Sequence, residues 1–505
     1  MGNRVLETER KYEADTDAEL VGEPDLTGLP GVAEVRTLEP AELDAVYFDT
    51  ADLRLAAHRT TLRRRTGGDD AGWHLKLPTS QADTRTEVHA PLGKSAKKIP
   101  RRLAAEVAVL TRGHPLIPVV RLRNTRRRVH LLDADGQALA EIAYDHVSAE
   151  PGPAWTETEV ELLAGKPALL DAVEERLTAA GLRRSTSPSK LAHALGDRLA
   201  HAKKPPEPPA TLDTAGDAVL AYLHEQVRAI TAYDPAVRRD EEDSVHQMRV
   251  STRRLRSALK SFRRELDRSA TDPVGDELKW LAAVLGMERD REVLAERLAQ
   301  RLSELPAEFV TDEVGDRLRG GPGASHFEAR EALLRELNGD RYFRLLDTLD
   351  TLDALLAAPP LLDGAKAPAA VALAKAIRRD HRRVRRTIEP ALRLDPGRER
   401  DLALHEARKA AKRARYSSEA GGPVLGKPAA KHTKRMKGIQ QLLGEHQDSV
   451  IAREAILRLA AEARADGEDT FPYGALAQLE RDLAADVERR LPRAWRKADR
   501  GKLAG

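Results

Sequence analysis

Up to about residue 165, apolar and polar positions alternate in short runs: "RVLETERKYE", "AVYFDT", "TLRRRT", "GWHLKLP", "TRTEVHA", "VVRLRN", "RRRVHLLD", "ALAEIAYDHV" and "WTETEVELL". A period of two sends successive side chains to opposite faces, so these runs predict antiparallel strands bounded by Gly, Pro and Asp. "DADGQ" at 133–137 predicts a hairpin turn, and "PALLDAVEERLTAAG" a helix closed by Gly181. "HAKKPPEPPATLD" at 201–213 is Pro-rich and aperiodic, which predicts a stiff linker. Beyond it the period changes to that of helices, in long Ala, Leu, Arg and Glu stretches interrupted at 320–325 and 359–368. The pattern therefore predicts a multidomain α+β chain, with a β unit at 1–200, a linker at 201–212 and an all-α unit at 213–497.

The α region repeats itself. "HQMRVSTRRLR" from His246 lies on "HEARKAAKRAR" from His405, so that His246, Arg249, Arg253, Arg254 and Arg256 match His405, Arg408, Lys412, Arg413 and Arg415. Downstream, "LAAVLGMERD" lies on "IQQLLGEHQD", pairing Gly286 with Gly444 and Asp290 with Asp448. Two helical bundles of common design are expected, with halves of about 213–358 and 369–497.

Length adds that 505 residues are enough for two or three domains, each with its own core. Lys and Arg number 84 and Asp and Glu 81, so the net charge of +3 says little about partners, and the distribution of charge carries the argument. With 0 cysteines there is no disulfide framework and no thiolate metal site, and any metal must be held by oxygen or imidazole, which points to hard cations. The N-terminus is charged from Arg4 onward, and no run reaches the roughly 18 apolar residues of a membrane span, so no membrane partner and a cytoplasmic address are expected. "LGKSAKK" lacks the upstream glycine of a phosphate-binding loop.

Same-face charge recurs in the β unit. Glu7, Glu9 and Lys11 share a strand face, as do Arg63 with Arg65, His74 with Lys76, Arg85 with Glu87, Arg121 with Arg123, and Glu157 with Glu159 and Glu161. Leu62, Leu75, Leu77, Leu122, Val160 and Leu162 occupy opposite faces. A half-exposed sheet lying on helices satisfies this pattern. So does a closed barrel with the charges inward, and that arrangement needs a ligand, because each unpaired buried ion costs several kcal/mol. In the second case the arginine and lysine rows require a polyanion. The carboxylates then require a divalent cation to bridge them to phosphate oxygens.

These residues resemble the CYTH family, or triphosphate tunnel metalloenzymes, over about residues 3–198. Glu7, Glu9 and Lys11 match its ExExK signature, followed by Tyr47 to Thr50, Leu62, Arg63 and Arg65, then Lys76, Arg85 with Glu87, Glu159 with Glu161, and Lys190. The resemblance implies an eight-stranded antiparallel β tunnel with peripheral helices. In it Lys11, Arg63, Arg65, Lys76, Arg123 and Lys190 would grip phosphates, with Arg85 and Arg126 also binding substrate. Glu7, Glu9, Glu159 and Glu161 would hold Mg²⁺ or Mn²⁺. Glu7, Glu9, Lys11 and Glu87 are the expected catalytic groups, Glu87 and Glu157 being the candidate general bases by phase. Tyr144 stands where an acid is expected, and a bulge at Asn124 is the expected source of a phase change in "RLRNTRRR" that brings in Arg123 and Arg126.

On a helix His246, Arg249, Arg253 and Arg256 fall on one arc, and His405, Arg408, Lys412 and Arg415 reproduce it. Few acids stand four residues away to neutralise them, so two such helices face to face would form an electropositive groove. A solvated face or a structural imidazole are the plain alternatives. The pattern resembles the CHAD family from about 213 to 497, which implies two pseudo-symmetric four-helix bundles that bind inorganic polyphosphate. The combined expectation is a metal-dependent hydrolase of phosphoanhydride bonds in triphosphate or polyphosphate, at large in the cytoplasm or associated with polyphosphate granules. The alternative is a non-catalytic polyphosphate-binding or targeting protein, and an adenylyl cyclase ranks lower. Aromatics make up only 4%, so base-stacking platforms are few and nucleic acid is disfavoured as a partner. Oligomeric state is left open by the sequence.

Overall fold

The computed structural model describes residues 4–14, 24–202, 204, 207–306, 309–320, 326–357 and 362–501. The Asp290 side chain, linker positions 203, 205 and 206, and positions 321–325 and 359–361 of the two interruptions expected within the helical region lie outside the described residues. The chain divides into two compact units, Met1–Pro205 and Pro206–Gly505.

The first unit contains β1 (Arg4–Ala14), β2 (Glu34–Thr37), β3 (Ala41–Asp49), β4 (Thr61–Thr66), β5 (Gly72–Pro78), β6 (Thr84–Ala90), β7 (Ile117–Leu132), β8 (Ala138–Glu150), β9 (Ala154–Leu162) and β10 (Leu182–Arg184). Strands pair antiparallel in the order β1-β6-β5-β4-β3-β7-β8-β9, and β9 returns to β1, closing an eight-stranded barrel. β2 flanks β7 and β10 flanks β1. Closure leaves no edge among the eight strands, and period-two alternation gives each one an inner and an outer face.

Much of the outer face is apolar and covered. Phe48, Leu62, Trp73, Leu75 and Val88 pack against Leu55 of α1 (Arg54–Ala57) and against Leu103 and Val107 of α2 (Arg101–Thr111). Tyr12, Val129, Leu131, Ile142 and Val160 pack against Leu169, Leu170, Val173 and Leu177 of α3 (Pro167–Ala179). With apolar groups satisfied outside, the charged positions are left for the interior. At the end where β3 finishes and β7 begins, Leu191 and Leu195 of α4 (Lys190–Leu195) meet Tyr47, Val120, Leu122 and Val147 and close one side. The short α5 (Asp197–Ala200) follows. Hairpins alternate ends of a barrel, so the β4–β5 turn at 67–71 and the β5–β6 turn at 79–83 mark opposite mouths.

The second unit is helical: α6 (Ala215–Arg239), α7 (Ser244–Ser261), α8 (Arg268–Ser303), α9 (Asp312–Gly320), α10 (His326–Leu337), α11 (Asp340–Ala357), α12 (Ala369–Ala391), α13 (Arg398–Ala420), α14 (Gly422–Leu425), α15 (Lys427–Ala465) and α16 (Phe471–Asp499). A capping box starts α6, in which the Thr214 hydroxyl accepts from Asp217 N and the Asp217 carboxylate accepts from Thr214 N. Helices α12, α13, α15 and α16 share one core, through Val384, Ile388, Ala407, Ala411, Met436, Ile439 and Leu491 among others. In the other half α6, α7 and α8 pack in succession, and α11 joins them through α8 and through the Tyr342 hydroxyl, which donates to Asp234. The halves meet through α6 with α12 and α7 with α13. At this seam Ala215 N donates to Ala367 O and Ala369 N to Asp213 O, a reciprocal pair linking the starts of the two halves. No described helix is long and apolar enough to cross a membrane.

Candidate functional site: a charged tunnel and a basic helical seam

The barrel interior encloses a cavity of about 260 Å³. Glu7, Glu9, Asp69, Asp70, Glu87, Glu141, Glu159 and Glu161 line it, with Lys11, Arg63, Arg65, Lys76, Arg85, Arg126, Arg128 and Lys190, eight residues of each sign. The half-exposed sheet is thus replaced by the closed alternative. A polyanion entering so balanced a cavity would break its neutrality unless cations entered with it.

Internal ion pairs hold most of these groups. Lys76 Nζ donates to Glu7 Oε1 at 2.6 Å and lies 3.5 Å from Glu9 Oε2. Lys11 Nζ lies 3.4 Å from Glu9 and contacts Glu159. Arg126 donates to both Asp145 oxygens at 2.7 and 2.6 Å and to Glu159 at 2.6 Å. Burial opposes ionisation of Glu9, but Lys11 and Lys76 outweigh it and hold the carboxyl down at about 2. Burial likewise opposes the Lys11 and Lys76 ammonium groups, yet the surrounding carboxylates raise both above the ordinary lysine value.

Two patches are not compensated in this way. Glu161 is half-buried and faces Glu7, Glu9 and Glu141, and its partial burial together with these like charges pushes its pKa up to about 8 despite Lys76. Glu7 Oε2 is buried without a hydrogen-bond partner. At the opposite sign, burial and the neighbouring Arg63 and Arg126 lower Arg65 to about 10, against the attraction of Asp70. Arg63 Nε and Arg65 Nε are both buried without acceptors. One cavity therefore holds acids in want of a cation beside guanidinium groups in want of an anion. Acidic oxygens of this kind suit a hard divalent metal.

The expected metal set of Glu7, Glu9, Glu159 and Glu161 lies together in the cavity but is not of one character. Glu159 already receives Lys11, Arg126 and Lys190, which hold its pKa well below the usual range against burial. The acid that joins Glu7, Glu9 and Glu161 is Glu141. A second trio, Asp145, Glu157 and Glu159, has ligand atoms within 4.8 Å of one another. Its centre is taken by Lys190 Nζ, at 2.9, 2.7 and 2.7 Å from the three carboxylates.

Arg123 is a correction. The β7–β8 register runs unbroken across Asn124, so Arg126 and Arg128 share the inner face while Arg121 and Arg123 point outward. Arg123 is exposed and pairs with Glu150 at 2.8 Å, and Arg128 takes the inner place. The same phase puts Tyr144 outside, beneath Arg127, and Asp145 and Glu141 inside, so no acid is missing. Glu87 lies in the cavity, 2.9 Å from His74 Nδ1. Burial works against its ionisation, but His74, Lys76 and Arg63 hold it at about 2, which makes it a weak proton acceptor. Glu157 is engaged by Lys190 and accepts from Trp155 Nε1 at 2.7 Å. Lys76, Arg63, Arg65, Arg85, Arg126 and Lys190 all reach the lumen. Asp69 and Asp70 were not predicted: they sit in the Gly-rich β4–β5 turn, paired with Arg128 at 3.0 Å and with Arg65. Their only signal is "GGDD" directly after "TLRRRT".

In the helical unit α7 and α13 pack together and bring Arg249 and Arg253 beside Arg408 and Lys412. Burial and then Arg408, Arg253 and Arg249 depress Lys412 to about 7, against the pull of Asp448. Arg408 lies over Gly444, and its Nε, like that of Arg256, is buried without an acceptor. The matched histidines are not equivalent. His246 is exposed, whereas the His405 ring lies 2.6 Å from Gln447 Oε1. Arg415 is drawn off by Glu419 at 2.7 Å and Gln440 at 3.0 Å.

Residues 6–195 match the CYTH domain and residues 221–457 the CHAD domain. The uncharacterized protein Rv2226 of Mycobacterium tuberculosis is 39% identical over 527 residues, covering 98% of this chain and 97% of its own. Among solved structures, PptA from Streptomyces chartreusis is 23% identical, covering 56% of this chain and 99% of its own, with a TM-score of 0.47. The CHAD domain from the plant Ricinus communis is 27% identical, covering 59% and 97%, with a TM-score of 0.45.

Proposed function

The chain belongs to the CYTH family through its first unit and to the CHAD family through its second, and from that premise we propose that it hydrolyses phosphoanhydride bonds of inorganic triphosphate or polyphosphate in the tunnel. The observation that carries this reading is the pair of uncompensated patches in one cavity, Glu161 among acids and Arg65 among cations. Arg63, Arg65 and Arg128 bind phosphate oxygens of the chain, with Lys76, Arg126 and Lys190 supporting the more deeply placed ones. Glu7, Glu9 and Glu161, with Glu141, would hold Mg²⁺ or Mn²⁺, which when bound neutralises phosphate charge and acts as a Lewis acid.

In the reaction water adds to the terminal phosphorus, the bridging P–O bond breaks, and tripolyphosphate yields orthophosphate and pyrophosphate. The guanidinium groups stabilise the charge that spreads over the transferring oxygens. Because Glu87 and Glu9 are both held near 2, neither takes a proton readily, and catalysis rests on positioning and charge rather than on a strong base. The seam cations Arg249, Arg253, Arg408 and Lys412 bind polyphosphate, and covalent linkage raises its local concentration for the tunnel. Tripolyphosphate with Mg²⁺ should release phosphate from wild type, and Glu9→Ala should lower the rate at least a hundredfold. The absence of metal-dependent release from wild type would leave the non-catalytic binding role.

A further inference from the structure

A second cavity of about 400 Å³ shares Glu9, Lys11 and Arg85 with the tunnel. The first cavity reaches Gly68, Asp69 and Asp70 of the β4–β5 turn, whereas the second is lined by Thr79 to Asp83 of the β5–β6 turn. Those turns are at opposite ends of β5, so the two spaces lie toward opposite mouths of the barrel, with Glu9, Lys11 and Arg85 between them. The second space is polar: the Ser80, Ser185 and Ser187 side chains and Arg59 line it. Arg184 lines it as well, but is committed to Asp83 at 2.6 Å.

Arg59 is exposed, lines this second space, and forms no ion pair among the described residues. Its backbone is left-handed, with φ at 57°, a conformation that a residue with a Cβ adopts at a cost and that glycine adopts freely. This turn, between α1 and β4, sets the guanidinium at the second mouth. Resting on the reading of the tunnel as a phosphoanhydride hydrolase, we propose that this mouth is a subsite for phosphates beyond the third. A long chain lies with its terminal phosphate toward Glu161 and continues past Arg85 to Arg59, so Arg59 determines preference for chain length rather than the chemistry. The second space, of about 400 Å³, gives the continuing chain room outside the cutting site.

The test is a KM-against-kcat comparison in the full-length protein, using tripolyphosphate and a linear polyphosphate long enough to span both mouths. Arg59→Gly removes the charge while suiting the left-handed backbone, so the fold is retained, and Arg59→Lys restores the charge. The expected result for Arg59→Gly is a five- to tenfold rise in KM for the long chain, on the order of one lost charge-assisted contact. Its tripolyphosphate constants and both kcat values stay at wild-type levels, and Arg59→Lys recovers most of the loss. Equal changes for both substrates, or no change for the long chain, overturn the subsite while leaving the hydrolase reading in place. No phosphate release from tripolyphosphate by the wild type overturns that underlying reading, and the subsite with it.

Discussion

At the scale of the residue, Glu161 shows how the barrel handles charge. Its folded pKa of about 8 stands above the ordinary 4.5, so between those values the fold keeps a proton that the unfolded chain has released. Metal-free protein should therefore lose stability as the pH rises from about 4.5 through 8. Glu161→Gln should flatten that loss, raising the metal-free melting temperature at pH 8 while reducing the stabilisation that Mg²⁺ gives wild type. Thermal melts with and without Mg²⁺ measure both, and equal Mg²⁺ stabilisation in the two proteins would count against Glu161 as a ligand. At this scale the sequence was readable in one respect. Alternation placed Glu7, Glu9 and Lys11 on one strand face and Arg63 with Arg65 on another because strand parity is local, while barrel closure is what turns both faces inward. It failed at Arg123 because parity in a long strand depends on whether a bulge intervenes, and that is decided by the partner strand. Equally, Glu159 and Glu161 are two residues apart with the same parity, yet one is crowded by cations and the other by acids. Neighbours on β1, β7 and β8 make that difference.

Single helices carry their own consequences. α4 begins at Lys190, and its N-cap Ser189 accepts from Ala192 N at 3.0 Å, fixing the turn that puts the Lys190 ammonium among three carboxylates. Ser189→Ala should cost about 1 kcal/mol, and by loosening Lys190 should also lower kcat/KM for tripolyphosphate. Denaturant titration and steady-state rates would check the two effects. In the second unit His432 of α15 lies between the Ser418 hydroxyl, 2.6 Å from Nδ1, and the His381 ring, 3.0 Å from Nε2. Burial, His381 and Arg435 depress it to about 3. A histidine depressed in the fold binds its proton in the unfolded chain first, so stability should fall as the pH drops from about 6.5 toward 3. His432→Asn should remove part of that slope in equilibrium unfolding. The helices themselves were legible from their period. The join between α7 and α13 was only suggested by the matched motifs, because nothing in one helix states which face its distant copy will meet.

Across the whole molecule, the two regions proposed to bind phosphate should differ in their response to salt. The seam gathers Arg249, Arg253, Arg408 and Lys412 closely enough to depress Lys412, so long-chain binding should weaken steeply as salt rises, and Arg408→Glu should reduce the slope of log affinity against log salt by about one. A slope unchanged by that substitution would remove Arg408 from the binding surface. The tunnel is of another kind, since most of its cations are paired with its own acids. Asp69 and Asp70 on the β4–β5 turn hold Arg128 and Arg65 in the places where phosphate oxygens would bind. On the proposed reading of the tunnel, these two carboxylates are a resident competitor for the substrate. Such a competitor weakens the first capture of substrate, but it also returns to the arginines as soon as a product's grip loosens. Orthophosphate would then be displaced by tethered carboxylates instead of having to leave a bare cationic pocket unaided, and turnover gains at the step where a site built only to hold anions would stall.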